Sequence, residues 1–403
     1  MTIQTRGVLE APTALGRRSQ DSWALASTAI VMAVLAIVLS RVTTPTIAAL
    51  VAFGIGALGV VVWRVRGSLR PALGGAAIGA AVVIPFALPR LISVDNATIA
   101  CAHAIIAVSQ YVITGLSGQM SLGQGAFAAL GAYGFAVPFS SGLPWVVSLV
   151  IGMALAAIGG LIVGLIALRL QELYLAMVTL ALVVAFAPLV KLDLVSGMTG
   201  GANGLLLDLP WIPGAEFLGS SLTLYVIALV LLAAVVIVVR AVAASRHGLA
   251  LRALEFSEVS ARSSGVPLFG YRMSAFLSAS AIAGLGGGVY VMVLGIVTPD
   301  SFALPFSLQF LMMIVLGGMR RPSGAIVGAA LVWWLGLNLD GFELPIGPNG
   351  FDVLPGAVFG LAVILVVLFL RDGVTGGIVR LWSFASSRIR RLVAGGRPST
   401  EVR

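Results

Sequence analysis

A chain of 403 residues would ordinarily make two or three soluble domains, but 59% of its residues are hydrophobic and only 10% charged, against roughly a quarter charged in soluble domains. That composition excludes a large soluble domain and makes the chain an all-α polytopic membrane protein. The net charge of +9 is concentrated toward the two ends, which suits an anionic membrane surface better than nucleic acid.

In chain order, residues 1–22 read as a cytoplasmic N-terminal segment carrying Arg6, Arg17 and Arg18. Trp23 to Ser40 follows without a small-residue cleavage site, so it reads as a retained span rather than a signal peptide. At about 20 apolar residues per crossing, membrane helices are expected near 23–40, 46–63, 72–89, 97–115, 143–168, 173–190, 222–243, 271–296, 322–339 and 354–371. The segments near 120–138 and 305–318 are short or interrupted, as broken or re-entrant helices are. The expected body is thus a transmembrane domain over 23–371 with roughly 10–12 segments.

Gly160 and Gly164, Gly324 and Gly328, Gly75 and Gly79, and Gly356 and Gly360 are spaced i,i+4. Such spacing lets helices approach closely in lipid, and close packing is its expected role here. Cys101, the single cysteine, lies in an apolar run and forms no intrachain disulfide. His103 and His247 are too far apart in sequence to suggest a metal site.

Arginine placement sets the orientation. Arg17, Arg18, Arg64, Arg66, Arg70, Arg169, Arg246, Arg252, Arg262, Arg272, Arg320, Arg321 and the C-terminal tail can share one side, the cytoplasm, with Arg41 and Arg90 in the minority. Both termini are then cytoplasmic. A loop over about 191–221, with Trp211 as an interface anchor, is extracytoplasmic. Residues 372–403 form a basic tail in which Leu381 to Val393 reads as an amphipathic helix on the inner leaflet.

Two stretches stand apart. Gly115 to Gly134 places Ser117, Gln119, Ser121 and Gln124 among glycines in an apolar region. These groups either line a polar path along a broken helix or bond neighbouring helices together. The loop over about 245–272 mixes both charge signs. From Gly248 to Ser264 it is expected to form one helix of about four turns, with Leu251 and Leu254 on one side and Arg252, Glu255 and Arg262 on another. Arg252 and Glu255 are spaced to pair, as are Glu258 and Arg262, and Gly265 before Pro267 is a stop signal. Such a helix is either a solvated linker or a docking element for a soluble partner.

Catalytic motifs are missing. The only lysine, Lys191, falls in the outer loop, so no phosphate-binding loop of the G-x-x-x-x-G-K-[ST] type exists. Neither H-E-x-x-H nor G-x-S-x-G occurs, and hardly any charge lies inside a span. A proton-driven carrier therefore lacks its carboxylates.

Five ordered blocks carry a resemblance. Gly115 to Ala136, ALRLQELYLAMVTLAL from Ala167, TGGANGL from Thr199, His247 to Tyr290, and LMMIVLGGMRRPSGAIVGAAL from Leu311 resemble permease subunits of branched-chain amino acid ABC importers. The LYLAMVTLAL and TGGANGL blocks are closer to the longer, M-type permease. The family commonly has His where Gln124 stands, and the run from Met319 to Ser323 is more basic than is usual in it.

The resemblance implies a type II-like ABC importer permease in a bacterial inner membrane. A second related permease, two cytoplasmic ATPase subunits and an external solute-binding protein would complete it. ATP and magnesium would bind the ATPase subunits, with no cofactor, catalytic residue or metal on this chain. Arg252, Glu255, Glu258, Arg262 and Gly265 would belong to the coupling element, and Ser117, Gln119, Ser121 and Gln124 to the path. The solute would be a branched-chain amino acid, urea, an amide or another small polar molecule. A stand-alone channel or secondary transporter for a small neutral solute is the competing reading, and a membrane scaffold without a polar path is a third.

Overall fold

The computed structural model describes residues 93–167, 172–207 and 220–339, with 343–344, 351–352, 364 and 373. The expected spans at 23–40, 46–63, 72–89 and 354–371, the N-terminal segment and the basic tail lie outside the described residues. The chain divides into two units, Met1–Ala97 with Ala215–Val226, and Thr98–Gly214 with Ile227–Arg403. Of the first, the structure describes only the opening turns of two helices. Every contact below belongs to the second.

The described elements begin with α1 (Val94–Gln110), which runs on as a π-helical turn over Tyr111–Leu116. After a break come α2 (Gln124–Ser140), α3 (Trp145–Ala167), α4 (Glu172–Val190) and the short α5 (Asp193–Thr199). A 3₁₀ turn at Gly201–Asn203 leads to β1 (Leu205–Leu206). Then follow α6 (Ser220–Ala244), α7 (Arg246–Phe256), α8 (Glu258–Ser263), α9 (Leu268–Leu294) and β2 (Ile296–Val297). A second 3₁₀ turn, Pro299–Phe302, precedes α10 (Leu304–Gly317) and α11 (Pro322–Leu339), and β3 (Glu343–Leu344) pairs with β4 (Phe351–Asp352).

Among the described residues five helical stretches are long and apolar enough to cross a membrane, and six if α4 and the bent stretch after it count as one span. With the 3₁₀ turn before it, α10 is one of these five, so the segment that looked short is long enough to cross. The interrupted segment is α2, which is 17 residues long and holds Pro138. The protein is a multi-pass helical membrane protein.

Small residues decide where the core sits. α2, α3 and α9 pack so closely that a Cβ at Gly287 would overlap the Ala128 carbonyl, and one at Gly131 would overlap Gly284. In lipid no hydrophobic force draws helices together, so this backbone approach supplies dispersion contact that larger side chains would prevent. Two of the i,i+4 glycine pairs lie in the described residues and behave as their spacing suggests; Gly75, Gly79, Gly356 and Gly360 lie outside them. Gly160 meets Ser280 and Gly164 meets Met273 of α9, while Gly324 and Gly328 let α11 close on Gly318 and Met313. Phe127 and Phe276 fill the space beside this crossing, edge to face at 5.5 Å. The outer faces of α3 and α4 keep Ile158, Ile162, Ile166, Met177 and Val184 exposed, as lipid-facing surfaces do.

Candidate functional site

The break between α1 and α2 is the first feature of the site. From Ser117 to Gly123 the backbone is not helical, and apart from Gln119 N–H on the Ile113 carbonyl and the Gly123 carbonyl that opens α2, its buried peptide groups need side-chain partners. Side chains from three helices, α1, α4 and α10, supply them. Gln110 Nε2 donates to the Ser121 carbonyl at 2.8 Å, and Leu122 N–H donates to Thr179 Oγ1 on α4 at 3.0 Å. Ser307 on α10 donates to the Leu122 carbonyl and accepts from Gly125 N–H at 3.1 Å. Ser109 donates to Gln124 Oε1 at 3.1 Å.

Ser117, Gln119, Ser121 and Gln124 are all buried in this knot. Ser117 donates to the Ile113 carbonyl at 2.7 Å, inside the π turn, and accepts from Gln119 Nε2 at 2.8 Å. The Ser121 hydroxyl accepts from Gly123 N–H at 3.3 Å. Gln119 Oε1 and Gln124 Nε2 are buried with no hydrogen-bond partner. The predicted polar stretch is thus an interhelical network with two open valences. Gln110, Thr179 and Ser307 belong to it although nothing in the sequence drew attention to them.

The second feature is the charged stretch, and here one expectation is corrected. Gly248 to Ser264 is not one helix but two. Ser257 is extended, with φ −161° and ψ 112°, and its hydroxyl accepts from Ser260 N–H at 3.3 Å to cap α8. A serine that bonds the backbone ahead of it competes with helix continuation. The stop at Gly265 forms as expected. Gly265 N–H donates to Arg262 and Val266 N–H to Ala261, a Schellman closure in which Gly265 takes φ +77°.

Leu251, Leu254 and Ala261 are buried while Arg252, Glu255 and Arg262 are exposed, so the predicted sidedness holds. Burying the two leucines contributes about 1.5–3 kcal/mol each toward seating α7 on the bundle. His247 adds a bond to Ser274 on α9 at 2.7 Å. The expected Glu258–Arg262 pair is replaced: Glu258 binds Arg272, fourteen residues on, across the turn to α9. Glu255 faces Arg252 and Arg320, yet desolvation raises its carboxyl above the ordinary range, with the two arginines drawing it back.

These two features meet. A Cβ at Gly118, which has φ +70°, would lie 3.0 Å from Glu255 Cγ, so the break rests directly on α7. Gln119 Nε2 also donates to the Arg272 carbonyl at 3.3 Å. Gly115 abuts the Met319 carbonyl beside Arg320. The opposite end of α9, about 40 Å away at 1.5 Å per residue over its 27 residues, holds a separate clamp. There β1 pairs antiparallel with β2, Gly204 presses on Val297, and Lys191 bonds Asp300 at 2.9 Å. Among the described residues no group of three or more metal-ligating side chains occurs.

A family model described as the permease component of branched-chain amino acid transport systems matches residues 92–363. The chain is 31% identical over 280 residues to the high-affinity branched-chain amino acid transport system permease protein LivM of Salmonella typhimurium, covering 62% of this chain and 64% of the relative. It is also 31% identical over 284 residues to the protein of that name from Escherichia coli, covering 63% and 65%. It therefore aligns with just under two thirds of each relative's length. No solved structure matches it. The family match runs from the start of α1 past the end of α11, across the break, the helix pair and the β1–β2 clamp alike, and the chain belongs to the family of permease components of branched-chain amino acid transport systems.

Proposed function

We propose that this chain is the membrane-spanning subunit of an ATP-driven importer in a bacterial inner membrane, both termini cytoplasmic, passing branched-chain amino acids or related small polar solutes by alternating access. It works beside a second related permease and two cytoplasmic ATPase subunits, and an external binding protein delivers the solute. ATP and magnesium bind the ATPase subunits; this chain positions and opens the path and performs no chemistry. The charged residues Arg252, Glu255, Glu258 and Arg262 and the turn at Gly265 form the coupling element. Gln119 and Gln124, with buried amide atoms left unpartnered, border the path with Ser117 and Ser121.

The observation that carries the reading is the surface of α7 and α8. Phe256 is 93% exposed and Val259 76% exposed, directly beside Glu255 and Arg262, on helices whose opposite sides are anchored. A linker has no reason to hold a phenylalanine in water on a rigid seat. An apolar anchor ringed by both charge signs is what a docked interface uses. Replacing Glu255 and Phe256 together by alanine leaves membrane insertion intact and weakens ATPase association by about 2 kcal/mol or more, roughly thirtyfold. Tagged pull-down with the ATPase subunits measures this. Undiminished co-purification would remove the docking role and return the weight to a stand-alone channel or secondary transporter.

A further inference from the structure

The helix pair and the break are joined through one residue. Arg272 is the fifth residue of α9, its side chain 14% exposed. Its guanidinium binds Glu258 of α8, and its main-chain carbonyl accepts from Gln119 of the break. From Gln119 the same chain of bonds passes to Ser117 and on to the Ile113 carbonyl in the π-helical turn. A π turn has one residue more than the regular helix around it and is a common place for functional adjustment. The break is not helical; its near end is tied to the π turn by Gln119 N–H on the Ile113 carbonyl and its far end to α4 and α10 by Thr179 and Ser307.

We propose that Arg272 is a positioning residue that conveys displacement of the α7–α8 pair to the π turn and break, along Glu258, Arg272, Gln119 and Ser117. The proposal rests on the importer reading above. It differs from simple docking because the Arg272 side chain is only 14% exposed and lies behind Glu258, so little of it is open to a partner. Gly118 supports the same connection, since its backbone lies against Glu255 with no room for a side chain. Displacing α7 therefore either carries residues 117–119 with it or breaks these contacts.

The alternative is that the Glu258–Arg272 pair merely holds the turn at Gly265 in shape. The readout that separates the two is the number of solute molecules imported per ATP hydrolysed, measured on the complete complex in liposomes. Arg272→Met and Arg272→Gln each remove the charge while keeping much of the side chain. Both should assemble with the ATPase subunits and hydrolyse ATP, while solute imported per ATP falls about tenfold, within the usual range of coupling between sites. Arg272→Lys, which keeps the ion pair, should stay near the wild-type ratio. A wild-type ratio in Arg272→Met and Arg272→Gln would overturn the relay and leave the importer reading standing. Failure of both variants to accumulate, with Arg272→Lys normal, would make the pair a folding device and overturn the relay as well. A wild-type chain that binds no ATPase subunits would instead bring down the importer reading, and the relay with it.

Discussion

Ser307 and Thr179 show what one hydroxyl does inside a membrane helix. Each meets a buried or part-buried peptide group at or beside the break. Ser307→Ala leaves Gly125 N–H and the Leu122 carbonyl without that partner, and should cost about 1–3 kcal/mol, read as a lower thermal midpoint in detergent. Thr179→Val keeps the shape and loses one acceptor, so a smaller fall is expected. Neither residue was visible in the sequence, because their partners lie 57 and 182 residues away and a lone hydroxyl in an apolar run carries no pattern. Ser117, Gln119, Ser121 and Gln124 were visible, since four polar groups close together in such a run demand an explanation. What sequence alone left open was whether they face a path or one another, and the bonds they make lie within the bundle.

Glu255 gives a pH signature. Its folded pKa is raised from the ordinary 4.5, chiefly by desolvation, so the folded state holds a proton that the unfolded chain has already released. Stability is then highest at low pH and declines as the pH rises from about 4.5 through the folded value. Because the residue is exposed on its outer side, screening keeps this slope shallow. Glu255→Gln should flatten it further in melts taken from pH 4.5 upward. An unchanged slope would assign it to other groups.

At the scale of elements, hydropathy located the helices well because length and apolar character are what a membrane selects. α3, α4, α6, α9 and α11 fall within a few residues of their expected positions. The helix pair α7–α8 was harder. Helix formers over Gly248–Ser264 argued for continuity, and one serine overrode them by capping the next turn. Glu258 and Arg262 keep their i,i+4 spacing on α8, yet Glu258 bonds Arg272, a partner that spacing along a single helix could not indicate. The two-residue β1–β2 pairing was also beyond reach, since strands that short have no alternation to read.

Glycine spacing predicted close helix crossings, and a side chain tests them. Gly287→Leu places its Cβ on the Ala128 carbonyl. It should prevent α2 and α9 from closing, giving a chain that proteases cleave rapidly. Gly265→Ala meets open space and carries only the left-handed backbone penalty, about 1–2 kcal/mol. It should loosen the turn after α8 without disturbing the bundle, so limited proteolysis would cut at that turn alone.

At the scale of the whole molecule, the two ends of α9 meet different tasks. One end receives the charged helix pair and the break, and the other holds the β1–β2 clamp with its Lys191–Asp300 bridge. A translocation subunit that is driven from one side and receives solute on the other needs such a division. Composition argued against a large soluble domain, and the sequence holds no G-x-x-x-x-G-K-[ST] motif. The most direct test is to purify the tagged chain from its native membrane in mild detergent, identify what accompanies it, and assay ATP-driven uptake after reconstitution. The account predicts a stable assembly with a related permease and two ATPase copies, importing a branched-chain amino acid or similar small solute only with ATP and the binding protein present. A chain that purifies by itself and moves solute without ATP would contradict it.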